Sequence, residues 1–365
     1  MSQWGGDSTQ LLETKRALED LGVSVEVDDQ LDKNLDGFDI VHVFNIQTAD
    51  MGVVFVEQAK RYSIPVVVSP IYWDFNEVAK HVSKTFPSSQ RLSLRILGEI
   101  DWRLLYIARQ VGLYNRRRST TKKAERMLKM ADMLLPNSYA ELEIIVRTFR
   151  NPWLRAKSMI VPNGVRAPKQ ITTTRADISD PLEELPTPYV LEVASIGPLK
   201  GQLSVIKALR DHQEIPLVFV GRGLDSAYGK ECQRLAAKRG NVYFLGEVKH
   251  ESLGSIYSHA KVHVLPSFRE SPGLVTLEAA AHGVNCVVSI YGPVTEYFGQ
   301  NVWYCDPLNE ESIKAAVLEA WRSPLAETLK QRILRNFTWK HAGEATLTAY
   351  KQVLTRMAGD SGSAI

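Results

Sequence analysis

Short apolar runs alternate with longer amphipathic stretches along most of the chain, as when strands and helices take turns in a mostly parallel sheet. In the first half the pattern predicts strands at Val23–Val27, Ile40–Asn45, Pro65–Pro70, Met133–Asn137 and Met159–Pro162, with helices between them. Ile171–Pro188, reading ITTTRADISDPLEELPTP, is polar, Pro-bearing and aperiodic, which marks a linker. The alternation then restarts, with strands predicted at Tyr189–Ser195, Leu217–Gly221, Val242–Leu245, Val262–Pro266, Asn285–Ser289 and Val302–Tyr304, a second doubly wound unit. A last helical stretch runs from Trp339 to about Met357. The expected class is α/β, with Rossmann-like domains at 1–170 and 189–335, a linker at 171–188, and 336–365 as a helix returning toward the first domain followed by a tail.

Gly5 and Gly6 have the character of a Gly-rich turn that follows a first strand, and four residues precede them. In a doubly wound sheet the first strand is internal, so its loss leaves neighbours without a ladder. Either the start is truncated or another segment fills the slot.

Composition narrows the class. The 365 residues suit two α/β cores, and 44% hydrophobic with 23% charged residues is ordinary for a folded soluble chain. A formal net charge of +3, with no basic stripe through the whole molecule, argues against nucleic acid as a partner. Cys232, Cys286 and Cys305 lack metal-ligand spacing and read as buried free thiols in a reducing compartment. The eight His form no H-x-x-x-H pair, and His42, within DIVHVFN, reads as a core residue. No metal or cofactor is expected. The start has no signal-peptide character and no run reaches the ~18 apolar residues of a membrane span, so a cytoplasmic location is expected.

Leu265–Ser289, LPSFRESPGLVTLEAAAHGVNCVVS, carries the most chemistry. It reads as strand, loop, helix and strand, and separates Glu270 from Glu278 by seven residues. Glu270 would precede the helix and Glu278 would lie on it about a turn and a half from its start. Both can then border one pocket at the C-terminal end of the strand, where open α/β sheets bind ligands. The free amides of Gly273, Leu274 and Val275 would open the helix and, with its dipole, suit a diphosphate. Taken alone, two Glu at this spacing are more often solvated or capping residues.

The segment resembles the donor-site signature of the family 4 (group 1) glycosyltransferases, PS…E…GL…LEA…G. In family order around it stand LEVASIGPLKGQ (191–202), VFVGRG (218–223), NVYFLGEV (241–248), SIYSHAKVHVLPS (255–267) and GPVTEYFG…VWYCDP (292–307). IVPNGV (160–165) and the closing FTWKHAGEATLTAYKQVL (337–354) also fit. The resemblance implies a GT-B enzyme, two Rossmann-like domains facing a central cleft, that moves a sugar from a nucleoside-diphosphate donor with retention of configuration. It implies that Glu270 holds sugar hydroxyls and Glu278 the ribose hydroxyls. Lys200, in GPLKGQ, would stabilise the departing diphosphate. Gly5 and Gly6 would bring amides to the phosphates from the opposite domain, and main-chain groups at Gly246–Val248 would meet the base. Where the family more often has an Arg beside the glycine, Ile196 and Pro198 stand here, with Arg222 or Arg269 as substitutes.

On the acceptor side many relatives carry a His after the strand corresponding to Pro65–Ser69, and here Tyr72, Trp73 and Asp74 stand in its place. An aromatic platform beside a carboxylate suits a sugar or lipid headgroup, although core or rim packing is the commoner fate of Tyr and Trp. Trp102–Lys129 holds nine Lys/Arg interleaved with Leu104, Leu105, Ile107, Val111 and Leu113. Such a stretch either lies on an anionic membrane surface, implying a lipid-linked acceptor and a peripheral position at the inner face, or forms a solvated amphipathic helix. The expected activity is transfer to a hydroxyl acceptor in surface polysaccharide or glycolipid assembly. The alternatives are a catalytically weak GT-B partner subunit and a nucleotide-sugar epimerase.

Overall fold

A computed structural model describes residues 6–30, 33–73, 120–168, 185–268 and 270–361. Gly5, Asp74, Arg269, most of the linker and residues 102–119 of the basic stretch lie outside the described residues. The chain forms two units. Among the described residues, the first comprises those within 6–73, 120–164 and 337–361, and the second those within 165–336.

In the first unit, α1 (Gly6–Glu19) precedes β1 (Val41–Phe44), α2 (Ala49–Arg61), β2 (Val66–Ser69), a helix at 120–130 taken as α3, β3 (Met133–Leu134) and α4 (Tyr139–Phe149). The strands are parallel in the order β1-β2-β3. The α2 stripe Ala49, Gly52, Val53, Val56 and Ala59 is buried, the i, i+3, i+4, i+7 spacing of a helix lying on a sheet. Ala124, Met127 and Leu128 of α3 pack into the same core, while Lys123 and Arg126 pair with Asp50 and Glu57. The described part of the basic stretch thus turns its apolar face inward.

Two expected strands do not form. Val23–Val27 keeps its alternation, with Val23, Val25 and Val27 half-buried and Ser24 and Glu26 exposed. Among the described residues no strand lies beside it, so the extended chain closes no ladder. Met159–Pro162 docks by single bonds, Met159 N–H to the Leu134 carbonyl and Val161 N–H to that of Pro136, each at 2.9 Å. Pro136 and Pro162 bring no N–H to that ladder, which also holds β3 to two residues.

The closing helix, residues Trp339–Ser361, belongs to this unit and packs on α1. His42 joins it to the sheet, with Nδ1 2.8 Å from the Tyr350 hydroxyl and Nε2 2.9 Å from Ser69 Oγ. Burial lowers the His42 pKa to about 3, so this half-buried ring is neutral between the sheet and the closing helix.

In the second unit the strands are β4 (Tyr189–Val193), β5 (Leu217–Val220), β6 (Val242–Gly246), β7 (Ala260–Leu265), β8 (Asn285–Ser289) and β9 (Trp303–Cys305). All pairings are parallel, in the order β6-β5-β4-β7-β8-β9. Every residue of β4, β5 and β8 is buried, the mark of central parallel strands covered on both faces. The helices between the strands are α5 (Gln202–Ala208), α6 (Ala227–Arg239), α7 (His250–His259), α8 (Leu274–Ala281) and α9 (Val294–Phe298), with α10 (Glu310–Arg322) and α11 (Glu327–Asn336) after β9. Strand order reverses between β4 and β7, so the loops leaving those two strands part to opposite faces and open a crevice at their carboxyl ends. Among the described residues no helix is long and apolar enough to cross a membrane.

Candidate active site

Lys200 comes from the loop after β4 and Glu270 from the loop after β7, the two strands that flank the crevice. Lys200 Nζ lies 2.5 Å from Glu270 Oε1. Backbone bonds hold these loops together: the Leu199 carbonyl accepts from Phe268 N–H at 2.9 Å and from Ser267 Oγ at 3.0 Å. Gly201, at φ +90°, lies so close to Pro266 that a Cβ would stand 2.8 Å from its carbonyl oxygen. At Gly292, φ +98°, a Cβ would meet the Glu270 carbonyl at 2.8 Å. Only glycine suits both the dihedral and the approach at these positions.

Gln202 went unremarked in the sequence and is fully buried behind the Lys200 loop. Its Nε2 donates to the Ser195 carbonyl and its Oε1 accepts from Gly197 N–H, each at 3.2 Å. Gln202→Ala is expected to cost about 1–2 kcal/mol, the worth of two modest hydrogen bonds with a carbonyl left unsatisfied. Urea unfolding checks it, and an unchanged midpoint at the same slope would refute the role.

Gly273 is the N-cap of α8 at φ +92°, and Leu274 and Val275 open the helix. Among the described residues the amides of Leu274 and Val275 have no acceptor, whereas those of Thr276 and Leu277 bond to the Gly273 carbonyl at 3.0 and 3.2 Å. Unpaired donors at the positive end of a helix dipole suit an anion. Below them His263 of β7 is fully buried, with Nε2 3.2 Å from Thr276 Oγ1, and burial lowers its pKa to about 3. The neutral ring adds no charge to the helix start.

Glu278 projects from α8 toward α7. Its Oε2 accepts from the Tyr257 hydroxyl at 3.0 Å, and its Oε1 is 2.9 Å from His250 Nε2. Neither partner was legible in the sequence, because they lie 28 and 21 residues away from Glu278. Gly246, at φ +67°, ends β6, and its carbonyl accepts from Gly221 N–H at 2.7 Å. Val248 follows in the loop before α7.

Ile196 is buried in the core of this unit, so the place of the family's Arg is taken by a packing residue. Its N–H donates to the Arg222 carbonyl at 2.8 Å, which sets the exposed Arg222 in the adjacent loop. Beneath all of this, Glu192 of β4 is 1% exposed, and among the described residues neither carboxyl oxygen has a hydrogen-bond partner. Burial drives its pKa well above the ordinary value, opposed by Lys200 and reinforced by Glu270. The sequence hid it inside the apolar run YVLEV.

The remaining expected residues fall in the first unit. Gly6 is the first residue of α1. Tyr72 is drawn into the domain: its ring lies 5.5 Å from Phe149 and its N–H donates to Glu141 Oε1 at 2.7 Å. The half-buried ring packs against the core, the commoner of the two fates weighed for it. The carbonyl of Trp73 accepts from Gln47 Nε2 at 3.1 Å. Glu141 was missed. It is buried and also accepts from Asn137 N–H at 2.6 Å, clamping the loops after β2 and β3.

The second unit has the strand order and crevice of a GT-B glycosyltransferase domain, and solved structures agree on the fold. The sucrose-phosphate synthase of Thermosynechococcus elongatus superposes at TM-score 0.63 and 20% identity, over 88% of this chain and 75% of that one. The Anabaena protein HepE in complex with UDP-glucose gives 0.62 and 17%, over 98% and 97%. Residues 174–336, nearly all within this unit, match the family of glycosyl transferases group 1. The O-antigen chain mannosyltransferase B of Escherichia coli is 29% identical over 175 residues, 45% of either chain. A glycogen synthase of Mycobacterium tuberculosis is 28% identical over 235 residues, 61% of this chain and 55% of that one. The chain thus spans about half the length of the curated relatives it matches.

Proposed function

We propose that this protein transfers a sugar from a nucleoside-diphosphate donor to a hydroxyl of a saccharide or lipid-linked acceptor, with retention of anomeric configuration. The observation that carries the reading is the Lys200–Glu270 pair, set where the strand order reverses and beside the unpaired amides that open α8. A diphosphate fits against Leu274 and Val275. On its arrival the Lys200 ammonium exchanges Glu270 for phosphate oxygen, and the carboxylate so released accepts protons from sugar hydroxyls. Glu278 takes the ribose hydroxyls.

The acceptor hydroxyl then attacks from the face the diphosphate leaves, through an oxocarbenium-like transition state. The new glycosidic bond forms as the bond to phosphate breaks, and the departing phosphate oxygen takes the hydroxyl proton. No side-chain nucleophile is needed. Lys200 and the α8 amides act where negative charge develops, with Arg222 or Arg269 as candidates for the second charge. The HepE structure holds UDP-glucose, and a curated relative is an O-antigen mannosyltransferase. A nucleoside-diphosphate hexose and a role in surface polysaccharide or glycolipid assembly are the corresponding proposals.

A panel of UDP-, GDP- and ADP-hexoses tests the reading. One nucleotide should raise the thermal midpoint of the protein in a concentration-dependent way. The product formed from it should carry the donor's anomeric configuration by NMR. No response to any member, or an inverted product, would overturn the proposal.

A further inference from the structure

The donor site is already filled by the protein's own groups. Glu270 is held by Lys200, and Glu278 is held from both sides. The two donors to Glu278 differ in kind. Tyr257 is buried in the core, and burial raises its hydroxyl pKa well above the ordinary value, so it remains a fixed proton donor. His250 opens α7 with a side chain 67% exposed, against 16% for Glu278. The imidazole therefore lies on the solvent side of the carboxylate, across the edge that a ligand must approach.

We propose that His250 is a specificity residue of the donor site: its imidazole holds Glu278 Oε1 and must yield that oxygen to the vicinal diol of the ribose. The proposal rests on Glu278 being the ribose acceptor. A vicinal diol offers two O–H donors to a carboxylate with two oxygens. Tyr257 keeps its hold on Oε2, an oxygen with a further lone pair, so Oε1 is the oxygen that changes partners. An exposed pair of this kind is weak, so the hindrance is several-fold, and it falls on the diol.

The test is calorimetric titration of UDP, GDP and ADP, followed by the 2′,3′-dideoxy counterpart of whichever binds, into the wild type, His250→Ala and Glu278→Ala. His250→Ala should bind the ribonucleotide about two- to fivefold more tightly and leave the dideoxy nucleotide unchanged, so the ratio of the two affinities rises. In the wild type, the His250 ring NMR signals should shift with the ribonucleotide and not with the dideoxy form. Equal gains for both nucleotides, or no gain while Glu278→Ala loses affinity, would overturn the proposal and leave the donor site standing. Unchanged ribonucleotide affinity in Glu278→Ala would overturn the ribose assignment as well.

Discussion

Lys200→Ala should lower kcat by about 10²–10³, the loss measured when one preorganised donor is removed from a site of developing negative charge. The donor dissociation constant should move by less than about tenfold. A group that matters most when the leaving diphosphate gathers charge is felt in the transition state more than in the bound ground state. The substitution also strands Glu270, whose side chain is 12% exposed and bonded to Lys200, so part of any loss could come from a disturbed loop. The pair Lys200→Met with Glu270→Gln separates the two effects. It removes both charges and should recover stability toward wild type without recovering turnover. Steady-state rates and denaturant midpoints on the three proteins give the comparison. A kcat within tenfold of wild type in Lys200→Ala would remove Lys200 from the mechanism.

On the proposed mechanism Lys200 and Glu270, which are each other's partner here, would exchange that contact for phosphate and sugar hydroxyls. The loops that carry them are fixed by main-chain contacts at Leu199, Gly201 and Gly292, so the exchange would ask only side chains to move.

Much of this was legible in the residues, for identifiable reasons. The central strands of the second unit announce themselves as apolar runs because a parallel sheet covered on both faces has no polar side. The run after β7 places Glu270, Gly273 and Glu278 on a loop and a helix by local spacing alone. Val23–Val27 shows the limit of such reading: alternation identifies a chain ready to be a strand, and only a neighbour makes it one. Pro136 could have been read as the stop of β3, since a residue without an N–H ends a ladder. His250, Tyr257 and Glu141 were not legible, because tertiary contact alone brings each to its partners. Ile196 was read as a missing charge, and the fold gives it a place as a core residue in the loop that leads to Lys200.

Glu192 should make stability fall with rising pH in a window that opens at the ordinary carboxylate value. Its folded pKa is raised above the unfolded value of 4.5 by burial. The folded state therefore holds the proton more tightly than the unfolded one. The stability linked to this group is fully present below about pH 4.5 and is progressively lost as pH rises toward the folded pKa. Glu192→Gln keeps the shape and removes the titration, so the variant should gain on wild type as pH rises above the unfolded value of 4.5. Glu192→Met also removes a buried polar group that has no partner, and it should be about 1–3 kcal/mol more stable than wild type near neutral pH. Denaturant midpoints at several pH values measure both, and parallel pH profiles for wild type and Glu192→Gln would show that no such proton is held. Burial raises the Glu192 pKa although the Lys200 ammonium opposes it, so the proton this acid holds is set by its apolar surroundings more than by the charge beside it.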